Sequence, residues 1–160
     1  MSMVEIHNSV AKVYEENKET LEIFECLDEF SDTQNFCDHY GFDIQDSCNA
    51  ILIKAKKPEE YYAMFCVLGA NRLDVNHKAK AAMGAKRVSF ASTEEAEKVT
   101  GQIYGGISPL GLPENIRIYM DKNVIDREKL FIGAGNRVSK FFLSPETLIQ
   151  LSSATVMDLT

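Results

Sequence analysis

Apolar and polar positions follow two different periods along this chain, and together they predict a mixture of helices and strands. Residues 4–17 place valine and tyrosine side chains at helical spacing, with glutamates and a lysine between them, and predict a first helix. Residues 21–27, LEIFECL, alternate apolar and acidic positions, which is typical of a half-buried strand. Residues 33–40 predict a short helix that Asp32 or Thr33 caps.

The clearest strand signals lie in the middle of the chain. CNAILIKA (residues 48–55) and YYAMFCVL (residues 61–68) are apolar runs of strand length, joined by KKPEE, and this arrangement predicts a hairpin. Four later segments also have strand character, at residues 87–91, 116–120, 129–132 and 140–143.

Three further helices are predicted between and after these strands. Residues 75–83 can form one, and a second starts at Ser92, where Ser92 and Glu95 fit a capping box. The third starts at Ser144, with Pro145 at its first position. Because short strands and helices alternate over a length suited to one core, we expect a single α/β (α+β) domain over residues 1–160, with a mixed, curved sheet and helices packed around it.

The charge is unevenly distributed and limits the possible partners. The net charge of −7 argues against non-specific binding of nucleic acid. Residues 1–47 hold 12 acidic residues and two lysines, a net of −10, so the remaining residues carry +3. A local basic stretch between Arg72 and Arg87 is either a solvated face or a contact for phosphates.

Side chains that commonly carry chemistry are scarce. The four cysteines form no CxxC pair, and none of the three histidines stands at metal-ligand spacing from them, so we expect no metal or other cofactor and buried, reduced thiols. The residue order contains no recognisable Ser-His-Asp or Cys-His arrangement. The sequence contains no apolar run of the roughly 20 residues that span a membrane, and its first residues lack a signal-peptide pattern, so we expect no membrane partner and a cytoplasmic protein.

The most unusual segment is GQIYGGISPLGLPENI, which begins at Gly101 and holds four of the nine glycines. It lacks the G-x-G-x-x-G spacing of a dinucleotide loop and the Gly-Lys-Ser/Thr of a P-loop. Two interpretations remain open: a surface turn, or a loop whose backbone approaches a ligand and directs N–H groups at it. A second glycine loop, GAGNR from Gly133, either bends the chain between strands or lines the same pocket.

A set of motifs in order along the chain resembles one known family. GGISPLGL after TEEAEKVTG, then IRIYMD, FIGAG and LSPETL, is similar to the YbaK/EbsC family, the editing domain that is inserted in, or associated with, prolyl-tRNA synthetase. SDTQNFCDHYGFD and LGANRLDVN extend the likeness upstream. The resemblance covers residues 31–148, which leaves an acidic helix and strand in residues 1–30.

The resemblance implies that the mixed sheet is partly barrel-like, and that the protein is a trans-acting aminoacyl-tRNA deacylase. Such an enzyme hydrolyses the ester of mischarged tRNA, here of the tRNA-Pro class with a small amino acid such as alanine or cysteine. The implied partners are the 3′ acceptor end of aminoacyl-tRNA and, as a second candidate, prolyl-tRNA synthetase. The implied catalytic residues are Gly105, Gly106, Ile107, Ser108, Pro109 and Asn49. The implied substrate-binding residues are Thr33, Ala50, Asn71, Arg72, Asp121, Gly133, Ala134 and Gly135.

Asn49 departs from the family pattern. Editing members commonly carry lysine at this position, followed by threonine where this chain has Ala50. Asparagine offers only a neutral amide, and Lys54 is a poor substitute because an offset of five places it on the opposite face of the strand. Two alternatives to a deacylase therefore stay open. The first is a catalytically impaired relative that binds tRNA ends or a synthetase without turnover, and the second is an interaction domain that uses its acidic N-terminal part.

Overall fold

Side-chain caps set where the helices begin. The computed structural model describes residues 4–160, so the part of the domain and signal-peptide predictions that concerns residues 1–3 lies outside the described residues. The first helix, α1, covers Asn8–Glu16 and starts later than predicted, because His7 adopts extended backbone geometry and its ring accepts a hydrogen bond from the N–H of Ser9. The second, α2 (Thr33–Tyr40), begins after Asp32, whose carboxylate accepts from the N–H of Asn35.

The later helices follow the predicted signals closely. A single π turn, Val75–Ala79, leads into α3 (Lys80–Met83). The predicted capping box of Ser92 and Glu95 opens α4 (Thr93–Thr100). Ser144 caps α5 (Pro145–Ser152), and its hydroxyl accepts from the N–H of Thr147. The predicted starts of these helices are confirmed. They could be predicted because each start depends on a contact between residues only three apart in sequence.

Within residues 4–160, eight strands form two open sheets. The smaller sheet is antiparallel, with β7 (Ser139–Leu143) between β1 (Glu22–Glu25) and β6 (Leu130–Gly133). The larger sheet has the order β4-β2-β3-β5-β8, in which the last two pairings are parallel. Its strands are β2 (Cys48–Lys57), β3 (Tyr61–Leu68), β4 (Arg87–Phe90), β5 (Arg117–Asp121) and β8 (Thr155–Met157).

The predicted mixed α/β architecture is confirmed, and the predicted hairpin of β2 and β3 is antiparallel over its full length. Within residues 4–160 neither sheet closes on itself, so the fold is not a barrel. The two sheets meet at one parallel bridge between Ser47 and Phe131. This junction brings the start of β2 beside β6 and determines where the cleft described below can form.

The core divides between the faces of the two sheets. The largest cluster packs α1 and α5 against both sheets through Val10, Phe141 and Leu148, which are all fully buried. A second group, the aromatic cluster, holds α2 on the outer face of the small sheet through Phe24, Phe36, Phe42, Phe131 and Phe142. All four cysteines are buried and unpaired, as predicted.

Candidate active site

A cleft of about 410 Å³ opens where the two sheets meet. Its walls come from the residues ahead of α2, the start of β2, the first glycine loop and the end of β6 with the following turn and β7. The lining residues are Ser31, Asp32, Thr33, Cys48, Asn49, Ala50, Tyr104, Gly105, Gly106, Ile107, Gly133, Arg137 and Lys140. Segments that are distant in sequence therefore meet because β6 pairs with β7 and contacts the start of β2.

The first glycine loop, residues 101–111, is held by a side chain inside it. The amide of Gln102, which is almost completely buried, donates to the carbonyl of Leu110 at 2.8 Å and accepts from the N–H of Ser108 at 2.6 Å. The hydroxyl of Ser108 in turn accepts from the N–H of Leu110 at 3.1 Å. Ser108 and Gln102 thus fix the shape of the loop from within.

The second glycine loop, residues 133–137, packs directly on the first. The N–H of Gly135 donates to the carbonyl of Gly106 at 2.7 Å, and the N–H of Ile103 donates to the carbonyl of Gly135 at 2.9 Å. A Cβ on Gly106 would overlap the carbonyl oxygen of Asn136, and one on Gly133 would overlap that of Ile107. Glycine is needed at both positions because two backbones touch there.

Two residues of the first glycine loop that line the cleft have a backbone N–H without a protein acceptor in residues 4–160. The N–H of Gly106 is used within the loop, since it donates to Ile103, and the N–H of Ser108 is used by Gln102. The N–H groups of Gly105 and Ile107 donate to no protein acceptor in residues 4–160, and both residues line the cleft. Gly105 has a φ of +95°, a conformation that side-chain-bearing residues rarely adopt. Gly105 and Ile107 thus keep two backbone N–H groups without a protein acceptor in residues 4–160, in a segment that lines the cleft.

Asn49 lines the same cleft as a neutral hydrogen-bonding residue. Its Oδ1 accepts from the hydroxyls of Thr33 and Ser47, each at 3.1 Å. It thereby ties the start of α2 to the start of β2, and its own charge is zero. Lys54 takes no part, because its ammonium bonds to Glu95 at 2.6 Å and it is absent from the cleft wall.

A family model for the aminoacyl-tRNA editing domain matches residues 28–151, which is most of the chain. The chain belongs to the aminoacyl-tRNA editing domain family. The predicted resemblance is therefore confirmed, and the matched region contains every residue that lines the cleft.

The relatives that the chain matches include a candidate deacylase and proline–tRNA ligases. The chain is 29% identical to a candidate Cys-tRNA(Pro)/Cys-tRNA(Cys) deacylase, EbsC, of Enterococcus faecalis, over 58% of this chain and 56% of that protein. It is 33% identical to the proline–tRNA ligase of Nautilia profundicola, over 65% of this chain and 18% of the ligase. It is 42% identical to the ligase of Streptococcus suis, over 36% of this chain and 9% of the ligase. The matches thus span little more than half of the first relative and a small part of the ligases.

Solved structures confirm the editing-domain fold over almost the whole chain. The crystal structure of a candidate trans-editing enzyme for prolyl-tRNA synthetase superposes with a TM-score of 0.82 at 22% identity, covering 98% of this chain and 99% of that one. A hypothetical protein of known structure gives a TM-score of 0.84 at 21% identity, covering 95% and 99%. At these identities the likeness concerns the fold.

Seven of the residues predicted from the sequence meet in the cleft of the editing domain. They come from α2, β2 and both glycine loops, and they are Thr33, Asn49, Ala50, Gly105, Gly106, Ile107 and Gly133. Ala134 and Gly135 lie directly behind this wall, where Ala134 is fully buried and Gly135 joins the two loops. The cleft prediction made from two glycine loops therefore corresponds to one continuous surface.

The other predicted residues lie outside the cleft wall. Ser108 is buried in the first glycine loop, and Pro109 faces a different hollow beside β5. Asp121 is completely buried, and its Oδ1 accepts from the N–H of Leu159 at 2.8 Å, which holds the chain end beside β5. Asn71 is exposed after β3, and Arg72 lines a separate surface hollow with Phe90. The contacts of Ser108 shape the first glycine loop, and the contact of Asp121 holds the end of the chain.

The cleft also contains two cations that the sequence analysis missed. Lys140, on β7, is 7% exposed, and its ammonium donates to the carbonyl of Ser31 at 2.9 Å and lies 4.9 Å from the ring centroid of Phe36. Burial lowers the pKa of Lys140 from its ordinary value, because desolvation opposes the charged form. Arg137 also lines the cleft, and its guanidinium pairs with Asp28 at 3.0 Å. The sequence signal that could have identified Lys140 is a lysine at the start of the otherwise apolar strand segment KFFL.

The cleft offers no obvious protein nucleophile. The thiol of Cys48 is 2% exposed, and its pKa is raised well above the ordinary value by a hydrogen bond with Cys66 and by burial, so it is protonated at neutral pH. Over residues 4–160 no group of three or more His, Cys, Asp or Glu side chains is arranged to hold a metal ion. None of the helices in the same residues is long and apolar enough to cross a membrane.

Proposed function

We propose that this protein hydrolyses, in trans, the ester between a wrong amino acid and the 3′ end of a tRNA. The proposed substrate class is tRNA-Pro that carries a small amino acid such as alanine or cysteine, and a prolyl-tRNA synthetase is the second proposed partner. The observation that carries the proposal is the pair of unused N–H groups of Gly105 and Ile107, held at the cleft by the packing of two glycine loops. Family membership and the names of the relatives support it.

The two N–H groups suit the charge that develops in ester hydrolysis. In the proposed step the carbonyl oxygen of the ester accepts from Gly105 and Ile107, and a water oxygen forms a bond to the carbonyl carbon. The bond from that carbon to the ribose oxygen then breaks, and the leaving oxygen receives a proton, which gives free amino acid and tRNA. Donors fixed before the reaction stabilise the oxyanion without reorganising, and one such donor is worth roughly 10²–10³ in kcat.

Water is the proposed nucleophile because an aminoacyl ester is already activated and Cys48 is a buried, protonated thiol. The backbone and a ribose hydroxyl of the substrate orient this water. Tyr104, which is 53% exposed at the edge of the cleft, offers a ring face on which the terminal adenine can stack. The limited volume of the cleft, about 410 Å³, selects small amino acids by exclusion in this proposal.

A deacylation panel tests this function directly. The protein is incubated with Ala-, Cys-, Ser- and Pro-tRNA-Pro, and release of the amino acid is followed for wild type, Gly105→Ala and Asn49→Lys. We expect release from one or more of the small mischarged amino acids, sparing of Pro-tRNA, and a lower kcat in Gly105→Ala, because alanine is strained at a φ of +95° and its Cβ would displace the guanidinium of Arg137 in the cleft wall. Absence of release from all four substrates at high protein concentration would exclude the enzyme.

A second candidate function is binding of aminoacyl-tRNA ends without turnover, and Asn49 is the observation that favours it. The neutral amide occupies the position of the family's lysine and is committed to Thr33 and Ser47. In this case wild type would protect the ester from spontaneous hydrolysis, and Asn49→Lys would convert protection into release. The panel therefore separates the two candidates.

A further inference from the structure

We propose that Lys140 and Ser31 form an anion site inside the cleft, and that this site binds the phosphate of the substrate's 3′-terminal nucleotide. The inference rests on the proposed function for the identity of the ligand. It assigns the positive charge of the cleft to Lys140 on β7, in the small sheet, and not to the start of β2, where Asn49 lies. It also explains how an editing domain can lack a lysine at that position.

The first argument is that Lys140 is a buried cation without a carboxylate. None of the ion pairs among the described residues includes Lys140. Taking an ammonium out of water is unfavourable unless a counter-charge compensates, so such lysines are uncommon in purely structural positions. The ring of Phe36 offers a weak attraction but no negative charge.

The second argument is the unused hydrogen-bonding capacity beside this charge. An ammonium has three donors, and the carbonyl of Ser31 is the one acceptor that Lys140 contacts within residues 4–160. The hydroxyl of Ser31 is completely shielded and has no hydrogen-bond partner in the same residues. Both residues line the cleft. An anionic oxygen between them would satisfy the hydroxyl and balance the ammonium.

The other charges that line the cleft are already paired. The guanidinium of Arg137 bonds to Asp28 through Nε at 3.0 Å. The carboxylate of Asp32 accepts from the N–H of Asn35 as the cap of α2. Lys140 is therefore the charge that remains free to bind a ligand.

The chemistry of an aminoacyl-tRNA end selects the phosphate. The adenine, the ribose and the ester are neutral, and the α-amino group of the amino acid is a cation that Lys140 would repel. The phosphate of the terminal nucleotide is the group with a full negative charge, and charge-assisted hydrogen bonds to phosphate are among the stronger polar contacts. A bound phosphate also favours the charged form of Lys140, which burial alone disfavours.

The decisive comparison uses two small substrates that differ by the phosphate alone. Aminoacyl esters of adenosine and of 5′-AMP, with the amino acid that the panel identifies, are hydrolysed by wild type and Lys140→Met. We expect Lys140→Met to lower kcat/KM for the AMP ester roughly 10- to 150-fold, mainly through KM, and to leave the adenosine ester within about twofold. Ser31→Ala should lower the AMP value several-fold. Equal losses on both esters, or no loss on either, would refute the phosphate site.

Lys129→Met is the matched control. Lys129 also lies over a phenylalanine ring, 5.6 Å from the centroid of Phe142, but it is exposed, pairs with Glu22 and lines no part of this cleft. It should leave both esters unchanged. Lys140→Met should melt at the same temperature as wild type or higher, because an apolar side chain of similar length replaces a buried charge. Lys140→Gln, which keeps a donor for the Ser31 carbonyl, is the second variant if the first does not fold.

A binding measurement separates this proposal from the deacylase proposal. If wild type releases no amino acid, 5′-AMP and adenosine are titrated into labelled protein, and the amide shifts of Gly105, Gly133 and Lys140 are followed. Tighter binding of AMP that disappears in Lys140→Met would support the anion site even without turnover. Equal affinity of wild type for AMP and adenosine would overturn it, whatever the deacylation panel shows.

Discussion

Asn49 accepts two hydrogen bonds through one oxygen, from Thr33 and from Ser47. Its role among the described contacts is to join α2 to β2 at the edge of the cleft. A lysine at this position would offer no acceptor to the two hydroxyls, so the neighbours of Asn49 are matched to an amide. Asn49 and Lys140 line the same cleft from the two different sheets.

Asn49→Asp tests the electrostatics of this wall. The aspartate keeps an acceptor for both hydroxyls but adds a negative charge to a cleft that we propose to bind a phosphate. Repulsion between the new carboxylate and a phosphate in the same cleft costs about 1–2 kcal/mol of binding free energy, which corresponds to a KM for aminoacyl-tRNA that is roughly 5- to 30-fold higher. Steady-state deacylation at two salt concentrations measures the KM of both proteins, and added salt should reduce the difference in KM between Asn49→Asp and wild type.

Asn123→Asp is the control for this prediction, since it makes the same charge change beside Thr160 and outside the cleft. An unchanged KM in Asn49→Asp would contradict the placement of an anionic group near Asn49. A large loss of thermal stability in Asn49→Asp would contradict a different expectation, namely that the hydrogen bonds from Thr33 and Ser47 survive the substitution.

Single residues in the cleft were only partly predictable from the sequence. Asn49 was identified because it departs from a family motif, and the glycines because their density is unusual. Lys140 was missed because a lysine in an apolar strand normally extends to solvent. Its burial depends on α2 and Phe36 covering that face of the small sheet, which is a contact between distant parts of the chain.

The two glycine loops act as one element. Their backbones exchange hydrogen bonds between Gly106 and Gly135 and between Ile103 and Gly135. The loops connect different strands, so their contact depends on how β6 is placed beside the start of β2. Helix caps and the β2–β3 hairpin were predictable from short-range patterns. The contact between the loops and the three-residue β8, which pairs in parallel with β5, depends on long-range pairing that one sequence does not encode locally.

Gly106→Ala tests this joint element. Its Cβ would overlap the carbonyl oxygen of Asn136, so one backbone must move and the two free donors move with it. We expect a loss of about 1–3 kcal/mol in the free energy of unfolding. We also expect at least a tenfold lower kcat, since misplaced donors no longer meet the oxyanion. Denaturant unfolding and single-turnover deacylation measure the two effects.

Gly101→Ala provides the contrast in the same loop. Its φ of +71° makes alanine strained, at a cost of about 1 kcal/mol, but its Cβ would meet no atom within 4 Å. It should therefore lower stability and leave kcat unchanged. If both variants lowered kcat alike, general loop strain, and not the contact between the loops, would explain the effect.

Three ion pairs link the acidic first part of the chain to the more basic remainder. Three acidic residues from the negatively charged first part pair with cations from the second, at 2.9–3.0 Å: Glu22 with Lys129, Asp28 with Arg137, and Asp46 with Arg127. Exposed pairs of this kind contribute little stability, but they occupy acidic groups that a basic partner would need. The three pairs therefore occupy three of the 12 acidic residues in the first part, and the alternative of an acidic interaction surface stays open.

Glu95 connects α4 to the hairpin of the large sheet. Its Oε2 accepts from Lys54 at 2.6 Å and from the hydroxyl of Tyr62 at 2.7 Å, while its Oε1 accepts from the N–H of Ser92 in the capping box. These bonds, led by the one from Lys54, lower the pKa of Glu95 from 4.5 to about 2. One carboxylate thus connects α4 to both β2 and β3.

This lowered pKa predicts how the whole molecule responds to acid. The folded state binds the Glu95 proton less readily than the unfolded chain, so its stabilisation is complete above about pH 4.5 and is lost as the pH falls towards 2. Glu95→Gln should melt at a lower temperature than wild type at pH 7, and the difference should shrink between pH 4.5 and 2. Glu94→Gln removes an exposed charge from the same helical turn and should show neither effect. A difference between wild type and Glu95→Gln that stays constant down to pH 2 would mean that the bonds to Lys54 and Tyr62 do not depend on the carboxylate's charge.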